Sequence, residues 1–196
     1  MNSKFYSAPM GPALVILIVL GGVVLLVGLW LMGAYNTLVR LRQAVKNAWA
    51  QIDVQLKRRH DLIPNLVNTV KGYATHEKST LEAVINARAR ATSVTVPADK
   101  IKTERELSGA LGRLLAVAES YPDLKANQNF LSLQSELAST EDRIAFSRQA
   151  YNDSATQLNT AVQSFPTVLI AGIFGFKEEP FFEAPAEEKS VPKVEF

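Results

Sequence analysis

Two histidines are the residues of this sequence best suited to acid–base or metal chemistry, and each stands directly before an acid. His60 precedes Asp61 and His76 precedes Glu77, and the chain contains no cysteine. Metal ligands on one helix recur at i, i+3 or i+4, whereas these histidines are sixteen residues apart. We therefore expect both histidines to lie on the protein surface, and we expect neither a metal ion nor a cofactor.

Other catalytic signatures are missing from the sequence as well. There is no GxSxG turn, P-loop or GxGxxG, and no ExxH pair of the kind that builds a di-iron site inside a helical bundle. The residues from His60 to Leu66 resemble the phospho-acceptor box of sensor kinases, but the proline falls one place early and no nucleotide-binding pattern follows. The sequence therefore predicts a protein that is not an enzyme.

An apolar run near the N-terminus predicts a membrane anchor. Residues 13–32 are unbroken by polar side chains, and no charged residue occurs from Phe5 to Val39. Twenty helical residues at about 1.5 Å each cross a hydrocarbon core of roughly 30 Å. A secretory signal has a shorter apolar region, about 7–15 residues, after a basic cluster that is missing here. We predict a retained transmembrane helix at residues 13–33, preceded by a short N-terminal segment at residues 1–12.

The charges of the chain are distributed unevenly. Residues 40–59 carry six bases and one acid, whereas residues 166–196 carry six acids and three bases. Bases that follow a spanning helix favour the cytoplasmic side and are attracted to anionic headgroups. We therefore expect a cytoplasmic C-terminal domain whose first partner is the lipid bilayer. We expect no nucleic-acid partner, because the bases lie beside the membrane and the formal net charge is only +2.

The remainder of the chain carries the apolar periodicity of amphipathic helices and almost no strand signal. Pro64 predicts a kink in the first helix, Trp49 lies on its apolar stripe, and Asp99 is a suitable N-cap for the third helix. The four predicted helices cover residues 34–63 with a continuation past the proline, 77–93, 99–120 and 125–164. We predict an all-α fold in which the transmembrane helix continues into an up-down four-helix bundle domain, residues 34–176.

The two segments after the fourth helix have contrasting compositions. Residues 167–176, TVLIAGIFGF, are apolar but too short to span a bilayer. They could cap the bundle, contact the membrane interface or become buried against another subunit. Residues 177–196 are rich in proline and glutamate, which predicts a flexible acidic tail. Phe181 and Phe182 within that tail could bind a partner or pack back on the end of the bundle.

A set of motifs along nearly the whole chain, up to about Glu183, resembles the LemA family. The most specific are IDVQLKRR at residues 52–59 and DLIPNLV at residues 61–67. Further motifs are Tyr35-Asn36, Ala48-Trp49, Val70-Lys71-Gly72-Tyr73, His76-Glu77, Ala118-Glu119, Tyr121 to Ala126, Arg148, Tyr151-Asn152, Phe165-Pro166 and Phe174-Gly175-Phe176. One departure is Leu158-Asn159, where many members carry a second Tyr-Asn.

The resemblance implies a single-pass anchor in the bacterial inner (cell) membrane and a helical-bundle domain. It implies no established reaction, so no catalytic residue is carried over. We expect a membrane scaffold that assembles as a homo-oligomer and presents its bundle to an unidentified protein partner. The alternative is a membrane-bound adaptor for a protease or a signalling protein.

The candidate interaction surface combines charged residues of the IDVQLKRR motif with two aromatic residues of the apolar segment before the tail. Its members are Asp53, Lys57, Arg58, Arg59, Phe174 and Phe176. A purely structural interpretation remains open, in which Asp53 pairs with Lys57 at i, i+4 and the proline shapes a kink.

The charge distribution generates a prediction of topology. A reporter fused to the C-terminus should be active in the cytoplasm, because three bases closely follow the span and one precedes it. Paired fusions of alkaline phosphatase and a fluorescent protein would measure this. Removal of the tail by protease added outside intact cells would contradict the prediction.

Overall fold

A computed structural model describes residues 11–182, and this part of the chain contains six helices and no strand. The helices are α1 Pro12–Lys71, α2 Lys78–Ser93, α3 Pro97–Ala118, α4 Pro122–Lys125, α5 Gln128–Gln163 and α6 Thr167–Phe174. The predicted all-α architecture is confirmed. The predictions for most of the N-terminal segment and for the tail beyond residue 182 lie outside the described residues.

Helix α1 joins the apolar segment, residues 13–32, to the bundle without interruption. It has 60 residues, which corresponds to a length of about 90 Å. The side chains of the apolar segment are exposed all round, and among the described helices α1 is the one long and apolar enough to cross a membrane. The first buried residue is Leu38, so the bundle begins about one and a half turns after the apolar segment ends.

Pro64 lies inside α1, and the helix continues past it for seven more residues. A proline has no amide hydrogen, so the carbonyl four residues earlier, that of His60, loses its helical donor. The Nε of Arg88, on α2, donates to this carbonyl at 2.7 Å. The proline therefore creates an acceptor on α1 that binds the neighbouring helix.

The helix ends differ from the predicted ends by a few residues, with identifiable causes. Pro97 begins α3 instead of preceding it, because a proline is well suited to the first helical turn, and the predicted N-cap Asp99 lies inside that turn. The fourth helix, predicted from residue 125, begins at Gln128 as α5, and the separate single turn of α4 precedes it. Asn127 separates them by capping α5, since its side chain accepts from the amide of Phe130 at 3.0 Å.

The bundle has two apolar cores stacked along its length. In the membrane-distal core, α1, α2, α3 and α5 pack together around residues such as Leu66, Val84, Leu114 and Phe130. In the membrane-proximal core, α1 and α5 pack with α6 around residues such as Ile52, Tyr151 and Ile170. Helices α2 and α3 are too short to reach the membrane end, so other segments must cover α1 and α5 there.

Helix α6 and the residues after it provide that cover. Ile170 and Ala171 are buried against α1 and α5, so this segment caps the membrane-proximal end of the bundle. Gly175 then adopts a left-handed conformation with φ of 68°, which ends α6 and turns the chain back along α5. We call residues 177–182 the C-terminal strap.

The C-terminal strap is bound to α5 by two asparagine side chains. Asn159 accepts from the amide of Glu179 at 2.8 Å and donates to its carbonyl at 2.9 Å, and Asn152 forms the same pair with Phe182. Three extended residues advance about 10 Å and seven helical residues about 10.5 Å, so the two pairs are in register. The prediction of a flexible tail beginning at residue 177 is therefore wrong for the strap.

Phe182 and Trp49 show how the strap completes the membrane-proximal core. Phe182 is buried, which settles that it packs back on the bundle, whereas Phe181 is about half exposed. Trp49 is half-buried, not a fully enclosed core residue as its place on the apolar stripe predicted. Its ring lies 5.2 Å from that of Tyr151 and 6.3 Å from that of Phe182. Trp49 is thus covered by the strap, a contact that the stripe of α1 alone does not reveal.

The pairing of Pro64 with Arg88 predicts a specific energetic coupling. Arg88→Met should destabilise the bundle by about 1.5–3 kcal/mol, the usual contribution of a hydrogen bond from a charged donor. In a Pro64→Ala background the same change should cost less, because an amide at position 64 can serve the His60 carbonyl. Chemical denaturation of the four variants gives the coupling, and additive effects would show that the two residues act independently.

Candidate functional site

The most prominent polar site in the described residues is a buried ion-pair cluster centred on Arg59. The guanidinium of Arg59 contacts the Glu104 carboxylate through Nη2 and donates through Nη1 to Glu141 and Ser108, at 2.7 and 2.9 Å. His60 Nε2 lies 2.8 Å from Glu104 Oε1. Three helices, α1, α3 and α5, are therefore joined by one side chain that is only 2% exposed.

The cluster lies at the boundary between the two cores. Arg59 falls between Leu56 of the membrane-proximal core and Ile63 of the membrane-distal core. Glu104 falls between Ile101 and Leu107 in the same way, and Glu141 between Leu137 and Ile144. The ion pairs thus form a polar layer across the bundle.

Glu104 is held ionised by this arrangement. Burial is the largest single influence and would raise the pKa of Glu104. The hydrogen bond from His60 and the charge of Arg59, with smaller contributions of the same sign, outweigh it and leave the pKa below its ordinary value of 4.5. Glu104 therefore acts as a permanent anion at neutral pH, which suits an ion pair and not a general acid.

The two histidines have different environments. His76 is exposed, as expected, but the expectation for His60 is wrong, because this side chain is 7% exposed and lies against Glu104. In residues 11–182 no group of three or more His, Asp or Glu side chains is placed to hold a metal ion. The chemistry of the cluster is that of charge pairing between helices.

An open groove lies directly beside the cluster, between α3 and α5. Its volume is about 640 Å³. Leu56 and Ile144 provide apolar surface, and Ser108, Gly109 and Gly112 form a wall of small residues. The other lining residues are Arg59, Glu104, Arg105, Arg113, Ala116, Glu141, Arg148 and Phe182. The groove is large enough to hold a segment of polypeptide.

The charged members of the candidate interaction surface occupy different environments. Asp53 pairs with Lys100 of α3 at 2.6 Å, so its partner is not Lys57, which is exposed. Arg58 pairs with Glu136 at 2.7 Å, and both side chains are about half exposed. Arg59 is buried in the cluster and so does not belong to the surface of this structure. An exposed pair such as that of Arg58 contributes only about 0–1 kcal/mol to stability, so Arg58 can exchange Glu136 for another partner. Lys57 is exposed and can also serve as a contact.

The aromatic members are divided between the core and the surface. Phe176 is buried, with Arg42 stacked 4.6 Å from its ring centre. Phe174 is 57% exposed and touches Tyr35, with the two ring centres 4.8 Å apart. Of the two, Phe174 is the one that another molecule can contact.

Phe174 belongs to an exposed apolar area where α6 meets the end of the apolar segment. We define this membrane-proximal patch by its exposed side chains, which are Leu31, Met32, Ile173 and Phe174. A hollow of about 530 Å³ lies within it, with Tyr35 and Ile170 at its back. A large exposed apolar area next to a helix that can span a membrane is typical of an interaction site.

Several residues that build these sites were not singled out from the sequence. Glu104 occupies an apolar-stripe position of α3, three residues from both Ile101 and Leu107, and that placement is the signal that marks it as buried. Asn152 and Asn159 share one face of α5 at a spacing of seven, but only the strap shows why both are asparagine.

Comparison with known proteins agrees with this architecture. The LemA family matches residues 48–196, most of the chain and nearly all of the bundle, and this chain belongs to that family. It is 27% identical over 158 residues to protein LemA of Metamycoplasma hominis, covering 80% of this chain and 72% of that protein. It is 26% identical to magnetosome proteins MamQ of Magnetospirillum gryphiswaldense and MamQ 1 of Paramagnetospirillum magneticum, over 80% of this chain and 68% of each relative. The chain is a membrane-associated helical protein.

The ion-pair cluster predicts an acid-sensitive stability. A carboxyl group with a lowered folded-state pKa stabilises the fold above its unfolded pKa, and the contribution disappears as pH falls through the folded value. The stability of the bundle should therefore decline below about pH 4.5. Glu104→Gln should cost about 3–5 kcal/mol at pH 7, because Arg59 loses a buried partner, and should flatten the dependence.

The matched control is Glu106→Gln on the same helix. Glu106 pairs with Arg90 at 3.3 Å in an exposed position, so its loss should cost less than about 1 kcal/mol. Denaturation followed by circular dichroism from pH 3 to pH 7 measures both variants. Equal stability of the two at pH 7 would contradict the structural role of Glu104.

Proposed function

We propose that this protein is a non-catalytic membrane scaffold that self-associates in the plane of the membrane through its membrane-proximal patch. The observation that carries the proposal is the apolar hollow between α1 and α6, at the level where the apolar segment enters the bundle. Charge pairing within the fold accounts for the buried ionisable groups described above, which supports a structural and not a catalytic role.

Anchoring in one bilayer favours contacts between copies at this height. If the apolar segment spans the membrane, every copy presents Leu31, Met32 and the exposed face of α6 at the same depth. Two copies that diffuse in the membrane then meet with these apolar surfaces aligned. The hollow can receive apolar side chains from α1 of a second copy. This contact buries Ile173 and Phe174, which are otherwise exposed at the membrane–water interface.

The charge distribution supports an orientation for this scaffold. Arg40, Arg42 and Lys46 follow the apolar segment within about four turns, at the base of the bundle. A basic rim at this height favours the cytoplasmic leaflet of the inner membrane. The bundle and the groove between α3 and α5 then face the cytoplasm.

The test is the mass of the protein in a bilayer. Wild-type chain in nanodiscs should form particles that contain several 21.5 kDa copies, and Ile173→Asp should reduce them to single copies. Ile173 is 78% exposed, so the substitution should leave helicity unchanged. Phe146→Asp is the control, because Phe146 is 75% exposed on α5 and does not line the hollow. Mass photometry with circular dichroism measures both quantities.

A different outcome would change the assignment. Single copies of the wild type in nanodiscs and in several mild detergents would exclude the scaffold and favour the monomeric adaptor, with the patch covered by lipid. Loss of assembly in Phe146→Asp but not in Ile173→Asp would move the interface to α5. Reversal of Arg59 would be uninformative, because it breaks the buried cluster, whereas Arg58→Glu breaks only the half-exposed ion pair with Glu136.

A further inference from the structure

Helix α6 leaves an apolar surface uncovered on the side that faces away from the bundle. Ile170 and Ala171 are buried in the membrane-proximal core, whereas Leu169 is 59% exposed. Phe165, which precedes the helix, is 82% exposed, and Val168 is exposed as well. We call Phe165, Val168 and Leu169 the outer face of α6. These side chains do not line the hollow between α1 and α6, so the outer face is distinct from the membrane-proximal patch.

The composition of α6 is unlike that of a helix exposed to water. No charged residue occurs in residues 165–176, and Thr167 has the one polar side chain of this stretch. Helix α3 also covers an apolar core with one face, but it exposes Lys102 and Glu106 on the other. A helix that is apolar on both faces requires an apolar environment on both sides. The outer face of α6 therefore requires a cover other than water.

The position of α6 along α1 indicates which environment provides this cover. Trp30 and Tyr35 lie at the end of the apolar segment, and these residue types are enriched where a spanning helix meets water. The ring centre of Tyr35 is 4.8 Å from that of Phe174, the last residue of α6. The eight residues of α6 span about 10 Å, so the whole helix lies within about 10 Å of this contact. A helix in a membrane interface is buried to a similar depth, about 5–10 Å.

Basic side chains lie next to α6, on the side away from the apolar segment. Arg40 and Lys46 of α1 are exposed there. Lys177 is exposed at the same level, because it follows Phe176, whose ring stacks on Arg42 at 4.6 Å. On an interfacial helix the apolar side chains enter the boundary of the acyl chains, and nearby lysines and arginines extend to the lipid phosphates. The order of apolar face and bases is therefore complementary to a layer of anionic lipid.

We propose that the outer face of α6 inserts into the lipid–water interface and forms a second membrane contact beside the apolar segment. Its three apolar side chains lie among the upper parts of the acyl chains, and Lys177 binds phosphates of anionic lipids. A single spanning helix leaves the bundle free to rotate about the axis of α1, whereas a second contact on one side holds the bundle in one orientation. This inference shares with the proposed function the spanning of a bilayer by the apolar segment, but it does not rest on self-association.

Depth-dependent fluorescence quenching tests the proposal, because the chain has no native cysteine that would compete for a label. Leu169→Cys in the full-length protein is labelled with nitrobenzoxadiazole and reconstituted into vesicles of phosphatidylcholine and phosphatidylglycerol. A nitroxide on the lipid acyl chain, placed near the glycerol or near the chain end, quenches labels at its own depth. The label at position 169 should be quenched more strongly by the shallow nitroxide than by the deep one.

Two positions calibrate the measurement. Phe146→Cys is the aqueous control, since this exposed residue lies seventeen helical steps, about 25 Å, from the membrane end of α5. The shallow nitroxide should quench the label at position 169 several-fold more than the label at position 146. Val24→Cys is the deep control, because Val24 is exposed within the apolar segment, and the deep nitroxide should quench its label most. Circular dichroism verifies the helicity of each labelled protein.

Charged substitutions then test whether the apolar face itself makes the contact. Phe165→Asp and Val168→Asp together, in the Leu169→Cys protein, should reduce shallow quenching several-fold. Helicity should be retained, because both side chains are exposed. Leu131→Asp is the matched control, since Leu131 is an exposed apolar residue at the opposite end of α5, and it should leave the quenching unchanged.

Three results at position 169 would overturn the proposal. One is a label that aqueous iodide quenches and neither nitroxide lipid reaches, as expected at position 146. Another is a label that neither iodide nor nitroxide lipid quenches, which would assign the outer face to a protein cover such as a second copy. The third is shallow quenching that the two aspartates leave unchanged.

The controls separate this proposal from the proposed function. In the Ile173→Asp protein the quenching at position 169 should remain, because insertion does not require assembly. Assembly without quenching at position 169 would overturn the insertion alone. Absence of deep quenching at Val24 would overturn the spanning of the bilayer, and both proposals with it.

Discussion

The Arg59 guanidinium is the interaction on which the arrangement of the bundle depends. It binds carboxylates of α3 and α5 from a position on α1, and it does so at the level where one apolar core ends and the other begins. Apolar contacts tolerate small axial shifts between helices, whereas a planar guanidinium with two carboxylate partners tolerates very few. The cluster therefore fixes the relative heights of the three helices, and through them the position of the groove.

The solvation that Arg59 and Glu104 lose on burial explains why other polar groups surround them. A buried ion pair loses solvation that only close, well-oriented partners can replace. Ser108 and His60 supply further hydrogen-bonding groups around Arg59 and Glu104. Pro64 leaves the carbonyl of His60 without its helical donor. Arg88 of α2 donates to this carbonyl and so adds a second polar link beside the cluster. Two consecutive residues of α1 thus tie that helix to α2, α3 and α5, which gives the short sequence block around them a clear structural role.

The sequence was sufficient to predict the elements of the fold and insufficient for their polar contacts. Helical periodicity and the positions of proline located the helices, because burial of an apolar stripe depends on residues close together in the chain. The buried state of His60 depends on Glu104, forty-four residues away, and no local pattern contains that information. The same limit applies to residues 177–182, where composition predicted flexibility but two asparagines on α5 provide backbone partners. Pro64 predicted a kink in α1. The structure shows a further effect, because the proline leaves the His60 carbonyl free to accept from Arg88 of α2.

Helix α1 continues without a break from the apolar segment into the bundle, so a tilt of the apolar segment also moves the bundle. From Ala34 to Lys71 the helix extends about 57 Å beyond the apolar segment. A spanning helix adjusts to the thickness of its bilayer by tilting. A change of about 10° in the tilt angle would move the far end of a 57 Å helix sideways by about 10 Å. Helix α1 is continuous over this whole length, from Pro12 to Lys71. Where the apolar segment of α1 spans a bilayer, the thickness of that bilayer sets the position of the distal end of the bundle.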